Sequence, residues 1–359
     1  MQRVRLQWLI LWPLRLAVIL TILVAVAVLL GKVLPAGDRF SVAELNGTAT
    51  DIFALDLTRD VQMNLTRNPA SDLQEAWSPD GSRMAFISDR GGTLQLYLLT
   101  IGRGGGVRLL DAQDIAPNYR PVWSSDGTAL VYEVLKPGGS EIALVRVDQP
   151  LIGGRNPRVL ASSFNPDRYP VWSPDGTEIA FTSWRNGDAE IFVVKPDGSG
   201  LTNLTKTDND DASPAWSPDG QQIAFFSLRS QFRELYVMKR DGSDLRQISD
   251  AQQTGDGNYW GAPLWSPDGQ SIAYQAIIDN QPSIVVVGLD GSVQRHLINP
   301  RQGLNTNATL PNGKRLAYLA TIGARTLLYM TDADGGSPHA LTPMDAAQPF
   351  AGLWGNPAS

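Results

Sequence analysis

Five carboxylates recur in one local frame. Asp80, Asp126, Asp175, Asp219 and Asp268 each precede a Gly and follow Ser-Pro or Ser-Ser. Gathered in space, such groups could hold a divalent cation or pass a proton. The frame itself argues for a turn: Pro presets φ, Gly takes positive φ, and Asp bonds its own backbone. A structural role is the expectation. A second set stands five residues before the Trp, or its equivalent, that opens each frame: Asp72, Asn118, Asp167, Asp211 and Asn305. Thirteen residues after it stand Arg90, Lys136, Arg185 and Arg229. Acid and base at these offsets predict the pairs Asp72–Arg90, Asp167–Arg185 and Asp211–Arg229 at one end of a repeating unit. Exposed pairs brace loops and contribute little each. Arranged in a ring, they would form a polar rim.

Other candidates cluster at the same place in the repeat. Asn118-Tyr119-Arg120, Asp167-Arg168-Tyr169, the run Asp208–Asp211 with Asp210 and Asp211, and Asn258-Tyr259-Trp260 all precede a first strand. Aromatics, Arg and amides suit recognition of a protein or a glycan. Asp208 could open a cation loop, but the Gly at position six and Glu at position twelve of an EF-hand are missing, so a solvated loop is expected. No nucleophile elbow, P-loop or His-Glu-x-x-His stretch occurs. The two His, His296 and His339, fall on outer strands in the repeat. No catalytic residue, metal or cofactor is assigned.

The elements that position these residues come from a repeat. Trp-Ser-Pro-Asp-Gly begins at Trp77, Trp172, Trp216 and Trp265; Trp-Ser-Ser-Asp-Gly begins at Trp123, and Leu310-Pro311-Asn312-Gly313 keeps the turn. Successive starts are 46, 49, 44, 49 and 45 residues apart. A further step of 44 lands on Trp354, and one backward on Val33. Each unit reads as four short strands. In the unit at Trp172 they are Tyr169–Trp172, 178–183, 190–195 and 201–204, with turns at Ser173-Pro174-Asp175-Gly176 and Pro196-Asp197-Gly198-Ser199. Four antiparallel strands at this period predict propeller blades. Strands near 39–45, 52–57 and 62–66 lack a first strand, and 349–354 is a first strand with nothing after it. Joined, they complete a seventh blade and remove the exposed edges. Six blades with a loose N-terminal ribbon is the alternative.

Ahead of the repeats, Leu6–Leu30 is apolar apart from Gln7, Arg15 and Thr21. Residues 9–30 reach the roughly 20 residues of a bilayer span if Arg15 snorkels. Arg3, Arg5 and Arg15 precede the apolar stretch, so the N-terminus is expected in the cytoplasm and the rest exported. Ala25-Val26-Ala27 has the spacing of a signal-peptide cleavage site, yet Val28-Leu29-Leu30 continues the apolar run. A retained signal-anchor, residues 1–32, followed by a propeller, 33–359, is therefore expected. Its junction falls beside the decayed turn 34–37, which puts the turn face toward the membrane and the polar rim away from it.

The run Trp-Ser-Pro-Asp-Gly-x-x-Ile-Ala-Phe, followed by Ile-Phe-Val-Val, Asp-Gly-Ser and Leu-Thr, resembles the TolB-type propeller repeat. Trp172–Thr205 and Trp216–Ser249 carry it best. The resemblance implies a non-enzymatic propeller used for protein or ligand binding. Two departures from TolB stand out: no separate N-terminal α/β domain precedes the repeats, and seven blades are expected where TolB has six. Prolyl-oligopeptidase-type enzymes join a propeller to a hydrolase domain, for which the repeats leave no room. Related oligogalacturonate lyases use a His-supported metal.

Composition agrees with a turn-rich binding domain. The 359 residues include 34 Gly and 24 Pro, are 43% hydrophobic and contain no Cys. That excludes disulfides, thiol catalysis and Cys-ligated metals. The formal charge is -6, although Arg3, Arg5, Arg15 and Lys32 precede the first acid, Asp38. A body this acidic is a poor nucleic-acid binder. The expectation is an all-β, seven-bladed propeller anchored by one transmembrane helix. It serves as an extracytoplasmic protein-binding scaffold at the cell envelope. The alternative is a glycan- or small-ligand-binding propeller, a lyase or hydrolase of an extracellular oligosaccharide.

Overall fold

The computed structural model describes residues 39–46, 49–56, 61–102, 105–117, 119–148, 157–230, 232–250, 256–257, 262–278, 281–298, 315–322, 325–332 and 339–343. Every regular element among them is a β-strand. The expected anchor, residues 9–30, and the closing strand, 349–354, lie outside the described residues. Among the described residues no helix is long and apolar enough to cross a membrane.

The strands form seven antiparallel sheets in chain order. Sheet 1 holds Arg39–Asn46, Ala49–Asp56 and Val61–Asn64. Sheet 2 runs Asp72–Trp77, Arg83–Ser88, Gln95–Thr100 and Val107–Asp111. Sheet 3 runs Val122–Trp123, Ala129–Lys136, Gly139–Arg146 and Arg158–Ala161. Sheet 4 runs Asp167–Trp172, Ile179–Ser183, Glu190–Val194 and Thr202–Asn203. Sheet 5 runs Asp211–Trp216, Gln222–Ser227, Glu234–Lys239 and Arg246–Gln247. Sheet 6 splits its first strand into Asp256–Gly257 and Leu264–Trp265, both paired with Ser271–Ile278, and continues through Gln281–Gly288 and Val293–Ile298. Sheet 7 holds Arg315–Ile322, Arg325–Asp332 and His339–Pro343.

Successive sheets pack face to face, which explains why their middle strands are apolar on both faces. Ile179 and Phe181 pack with Val131 and Ile142 of sheet 3. Ala180, between them, packs with Trp216 and Phe225 of sheet 5. Neighbouring side chains on a strand point to opposite faces, so a strand sandwiched on both sides loses the alternation of a half-exposed one. The first strands of sheets 2 through 6 touch in succession. They therefore share one inner edge, where the first strands of propeller blades line an axial channel.

The recurring Trp ties sheets 3, 4 and 6 to the sheet before, while Trp216 Nε1 of sheet 5 has no partner among the described residues. Trp123 Nε1 donates to Ala76 O (2.8 Å), Trp172 Nε1 to Val122 O (3.2 Å) and Trp265 Nε1 to Ala215 O (3.0 Å). The accepting residue always directly precedes the Trp of the earlier sheet. The turn frame is equally regular. Its Ser hydroxyl donates to its Asp at 2.6 Å in all five copies, from Ser78–Asp80 to Ser266–Asp268. The same Asp accepts the backbone N–H two residues on, and Gly176 has φ +69°. These carboxylates are engaged in their own turns, and Asp175 also accepts from Arg240 Nη1 at 2.7 Å.

Candidate binding rim at the inner strands

The inner strands of sheets 2, 4 and 5 share a β-bulge. Pairing skips between Leu73 and Ala76, between Arg168 and Val171, and between Ala212 and Ala215. In each skip a non-glycine residue takes left-handed φ: Gln74 at 53°, Tyr169 at 58° and Ser213 at 62°. Bulges re-aim side chains, and left-handed φ in non-glycine residues stores strain. In sheet 3 the interruption is longer. Ile115 bridges Val134, and the ladder resumes only at Val122 opposite Val131. Sheet 6 repeats that pattern, from Gly257 opposite Ala276 to Leu264 opposite Ala273. Asn258, Tyr259 and Trp260 belong to that interruption and lie outside the described residues, as does Asn118 in sheet 3.

The predicted ion pairs form in all three sheets. Arg90 Nη2 donates to Asp72 at 2.8 Å, Arg185 Nη2 to Asp167 at 3.1 Å and Arg229 Nη2 to Asp211 at 2.7 Å. Each Asp is fully buried, so these are not the exposed pairs that contribute little. Each Arg Nε also donates to a strand-end Ser: Ser88, Ser183 or Ser227. Each guanidinium lies over two rings, with Arg185 5.7 Å from Phe181 and 4.7 Å from Phe192. Asp72, Asp167 and Asp211 are thus internal braces that fix the rim. Lys136 does not act the same way. Its ammonium donates to Ser162 Oγ (2.7 Å) and to Ser163 O, and stands 3.9 Å from Glu141. Asp210 accepts the Ala189 N–H at 2.9 Å, which braces a hairpin loop.

The accessible chemistry is concentrated between sheets 3 and 4. Tyr119 Oη donates to Tyr169 Oη at 2.8 Å, with their rings 4.6 Å apart and edge to face. Both are half-buried. Beneath them Glu133 is buried, and its Oε1 accepts the Tyr169 N–H at 2.7 Å. Its Oε2 has no partner among the described residues. Burial pushes the Glu133 carboxyl up to about 8, although the Tyr169 N–H and the Arg168 charge pull it down. Burial and the shared hydrogen bond also raise the Tyr119 hydroxyl, so it stays protonated. Arg168 lies over the Trp184 ring at 5.9 Å. Arg120 is exposed to solvent. The surrounding protein lowers its pKa, against the pull of the Glu75 carboxylate.

Of the expected rim residues, Arg168 and Tyr169 come together with Tyr119, and Arg120 adjoins that group in the chain. Glu133 was not anticipated. The signal was an acid inside the apolar run Ala129–Leu135, ten residues after Trp123, where the equivalents are Ile87, Thr182 and Phe226. Thr182 performs the same task one sheet later: its Oγ1 accepts the Ser213 N–H at 3.0 Å. Among the described residues no three His, Asp or Glu are grouped to hold a metal ion. His296 and His339 lie on the last strands of sheets 6 and 7, far along the ladder from the inner edge.

A TolB beta propeller domain matches at residues 32–168 and 121–355. The chain belongs to the TolB beta-propeller family. Its fold is shared with TolB from Acinetobacter baumannii at 19% identity and TM-score 0.51, covering 71% of this chain and 62% of that one. The chain thus spans about three fifths of that TolB, of which it is a relative and not a copy. An oligogalacturonate lyase from Vibrio parahaemolyticus matches at 15% identity and TM-score 0.60, over 87% of each chain. A puromycin hydrolase matches at 14% identity and TM-score 0.66, over 88% of this chain and 53% of that one. Similarity at these identities carries the fold alone.

Proposed function

We propose that this TolB-like propeller is a non-enzymatic, extracytoplasmic scaffold whose rim docks a protein partner at the cell envelope. Residues 9–30 anchor it in the bilayer with the N-terminus cytoplasmic. Strands 39–66 and 349–354 close a seventh blade. The observation that carries the reading is the division of labour on the rim. Three sheets spend their Asp and Arg on buried braces. The sheet 3–4 junction departs from that repeat and leaves tyrosines and arginines accessible. A rigid frame that presents aromatic and guanidinium groups suits protein recognition.

The test is a pull-down from detergent-solubilised membranes, comparing the natural chain with Arg168→Ala, Tyr259→Ala and Trp260→Ala combined. Asp167 stays intact because its loss would break a brace. A partner held by the natural chain and lost by the variant supports the reading. Absence of any specific partner sinks it. The second reading, an oligosaccharide in the channel, draws on the lyase relationship and on the Tyr119–Tyr169 ring pair. Turnover of an acidic oligosaccharide that Tyr169→Phe abolishes would favour it.

A further inference from the structure

We propose that Glu133 is a proton-operated latch on the seam between sheets 3 and 4: protonated, it holds the rim end of the seam shut, and its ionisation lets that end part. The latch acts within the chain and stands whether the rim docks a protein or an oligosaccharide.

The repeat shows what is unusual here. Ten residues after each Trp, the second strand faces the following sheet. Sheets 2 and 5 fill that place with Ile87 and Phe226, packed in apolar clusters with the next sheet. Sheet 4 has Thr182, whose hydroxyl accepts the Ser213 N–H from the bulge of sheet 5. Sheet 3 has Glu133, whose Oε1 accepts the Tyr169 N–H from the bulge of sheet 4. The two bonds hold equivalent bulges, but only the carboxyl can change charge. Tyr169 and Ser213 both take left-handed φ, at 58° and 62°. That conformation costs free energy and persists only while its surroundings hold it. A weakened acceptor therefore acts on a bulge already under strain.

Glu133 is placed to lose its grip when it ionises. It lies opposite Ile142, which packs between sheets 3 and 4, and it is 1% exposed. Its Oε2 has no partner among the described residues, and it forms no ion pair among them. A buried carboxylate with a single donor is poorly solvated, whereas the neutral acid is tolerated. The charged and titratable neighbours do not supply what is missing. From sheet 4, Asp167 is paired with Arg185, and Arg168 lies over Trp184. From sheet 3, Tyr119 donates to Tyr169, and Lys136 stands 3.9 Å from Glu141. Opening exposes the carboxyl to water, where it releases one proton to solvent. Burial raises the closed-state pKa to about 8 from an ordinary 4.5, so opening becomes easier as pH rises between them and levels off above. Toward the turns the seam stays shut: Trp172 Nε1 donates to Val122 O, and Val131 packs with Ile179.

The test is hydrogen exchange read by mass spectrometry on the full chain in detergent, comparing the natural chain with Glu133→Gln at pH 5 and at pH 8. Gln keeps an acceptor for Tyr169 and cannot ionise. Comparing the two chains at one pH cancels the intrinsic exchange rate. Exchange in Asp167–Trp172 of the natural chain, relative to the variant, is expected to rise at least about tenfold from pH 5 to pH 8, the shift that one pH unit of proton linkage supplies. The ratio in Asp211–Trp216, whose bulge is held by the neutral Thr182, should stay constant. A constant ratio in both segments overturns the proposal. So does an equal rise in both, which would report global unfolding. Should the Gln variant not fold, the two segments of the natural chain, each divided by its unfolded-peptide rate, give the same comparison. A rise confined to residues 167–172 supports the latch, and a parallel course in both segments overturns it.

Discussion

Glu133 is the residue on which pH acts most directly. Its raised carboxyl pKa arises first from burial, with Asp167 adding to it and the Tyr169 N–H and Arg168 opposing it. The native chain then holds a proton that the unfolded chain releases near pH 4.5. Stability from this group is complete below that value, falls as pH rises toward about 8, and is level above it. Glu133→Gln removes the titrating group and keeps an acceptor for Tyr169. Urea melts from pH 5 to 9 should show the variant gaining on the natural chain as pH rises, by on the order of a few kcal/mol. A constant difference across that range would show that Glu133 is not held neutral. Asp175 has the opposite sign. Hydrogen bonding from Arg240 holds its carboxyl well below the usual range, so its contribution is lost as pH falls into acid.

At the scale of elements, the brace and the Trp pin make different demands. Asp167→Asn removes the charge opposite Arg185 but leaves the guanidinium among Phe181, Phe192 and Ser183. Breaking a buried pair on one side costs about 3 kcal/mol. Urea denaturation should show that loss, whereas Asp210→Asn, on a half-buried loop acid, should cost well under half as much. Trp123→Phe keeps a ring between sheets 2 and 3 but leaves Ala76 O without its indole donor. The expected loss is about 1 kcal/mol from the bond, plus the smaller ring's lost contacts. Asn64-Leu65-Thr66 and Asn203-Leu204-Thr205 repeat one Asn-x-Thr pattern, also an element-level feature. Asn203 donates to Glu190 Oε2 at 2.7 Å and accepts the Thr205 N–H, while Thr205 Oγ1 accepts the Ile191 N–H. Asn64, Thr66 and Asp51 make the corresponding bonds in sheet 1. The pattern closes the outer strand and needs no glycan to explain it.

For the whole molecule, the repeat offsets specify how a closed ring would join. The residue before each Trp lies opposite the one eight positions after it: Ala76 with Ala85, Val122 with Val131, Val171 with Ala180, Ala215 with Ala224 and Leu264 with Ala273. The same offsets put Leu353 opposite Ser41. The chain has no cysteine, so Leu353→Cys with Ser41→Cys introduces a single pair. Directly opposed positions in an antiparallel ladder lie within disulfide reach. Oxidation should crosslink this pair in high yield, and a Cys at 42 in place of 41 should not form the bond. Failure of the first pair would favour six blades. Removal of residues 1–32 should move the propeller from the membrane fraction to the soluble one, as judged by ultracentrifugation. Retention in the membrane would show that something else holds it there.

The period of 44 to 49 residues and the Trp-Ser-Pro-Asp-Gly frame specified the blades by themselves. Those signals are local: a turn needs its Pro, Asp and Gly within a few residues, and a sandwiched strand needs a continuous apolar run. The three Asp–Arg pairs were also legible, because both partners sit at fixed offsets on one end of a single sheet. Their depth was not. Only the packing of successive sheets buries the Asp, whereas the two rings under each guanidinium belong to its own sheet. The Glu133, Tyr119, Tyr169 and Arg168 cluster belongs to the tertiary structure alone. Its members come from two blades, with the Tyr hydroxyls meeting across 50 positions of sequence. Contacts between blades depend on how two sheets seat against each other, and no spacing within one repeat records that. The sequence determined the repeating frame, and the tertiary structure decided where that frame departs from its own pattern.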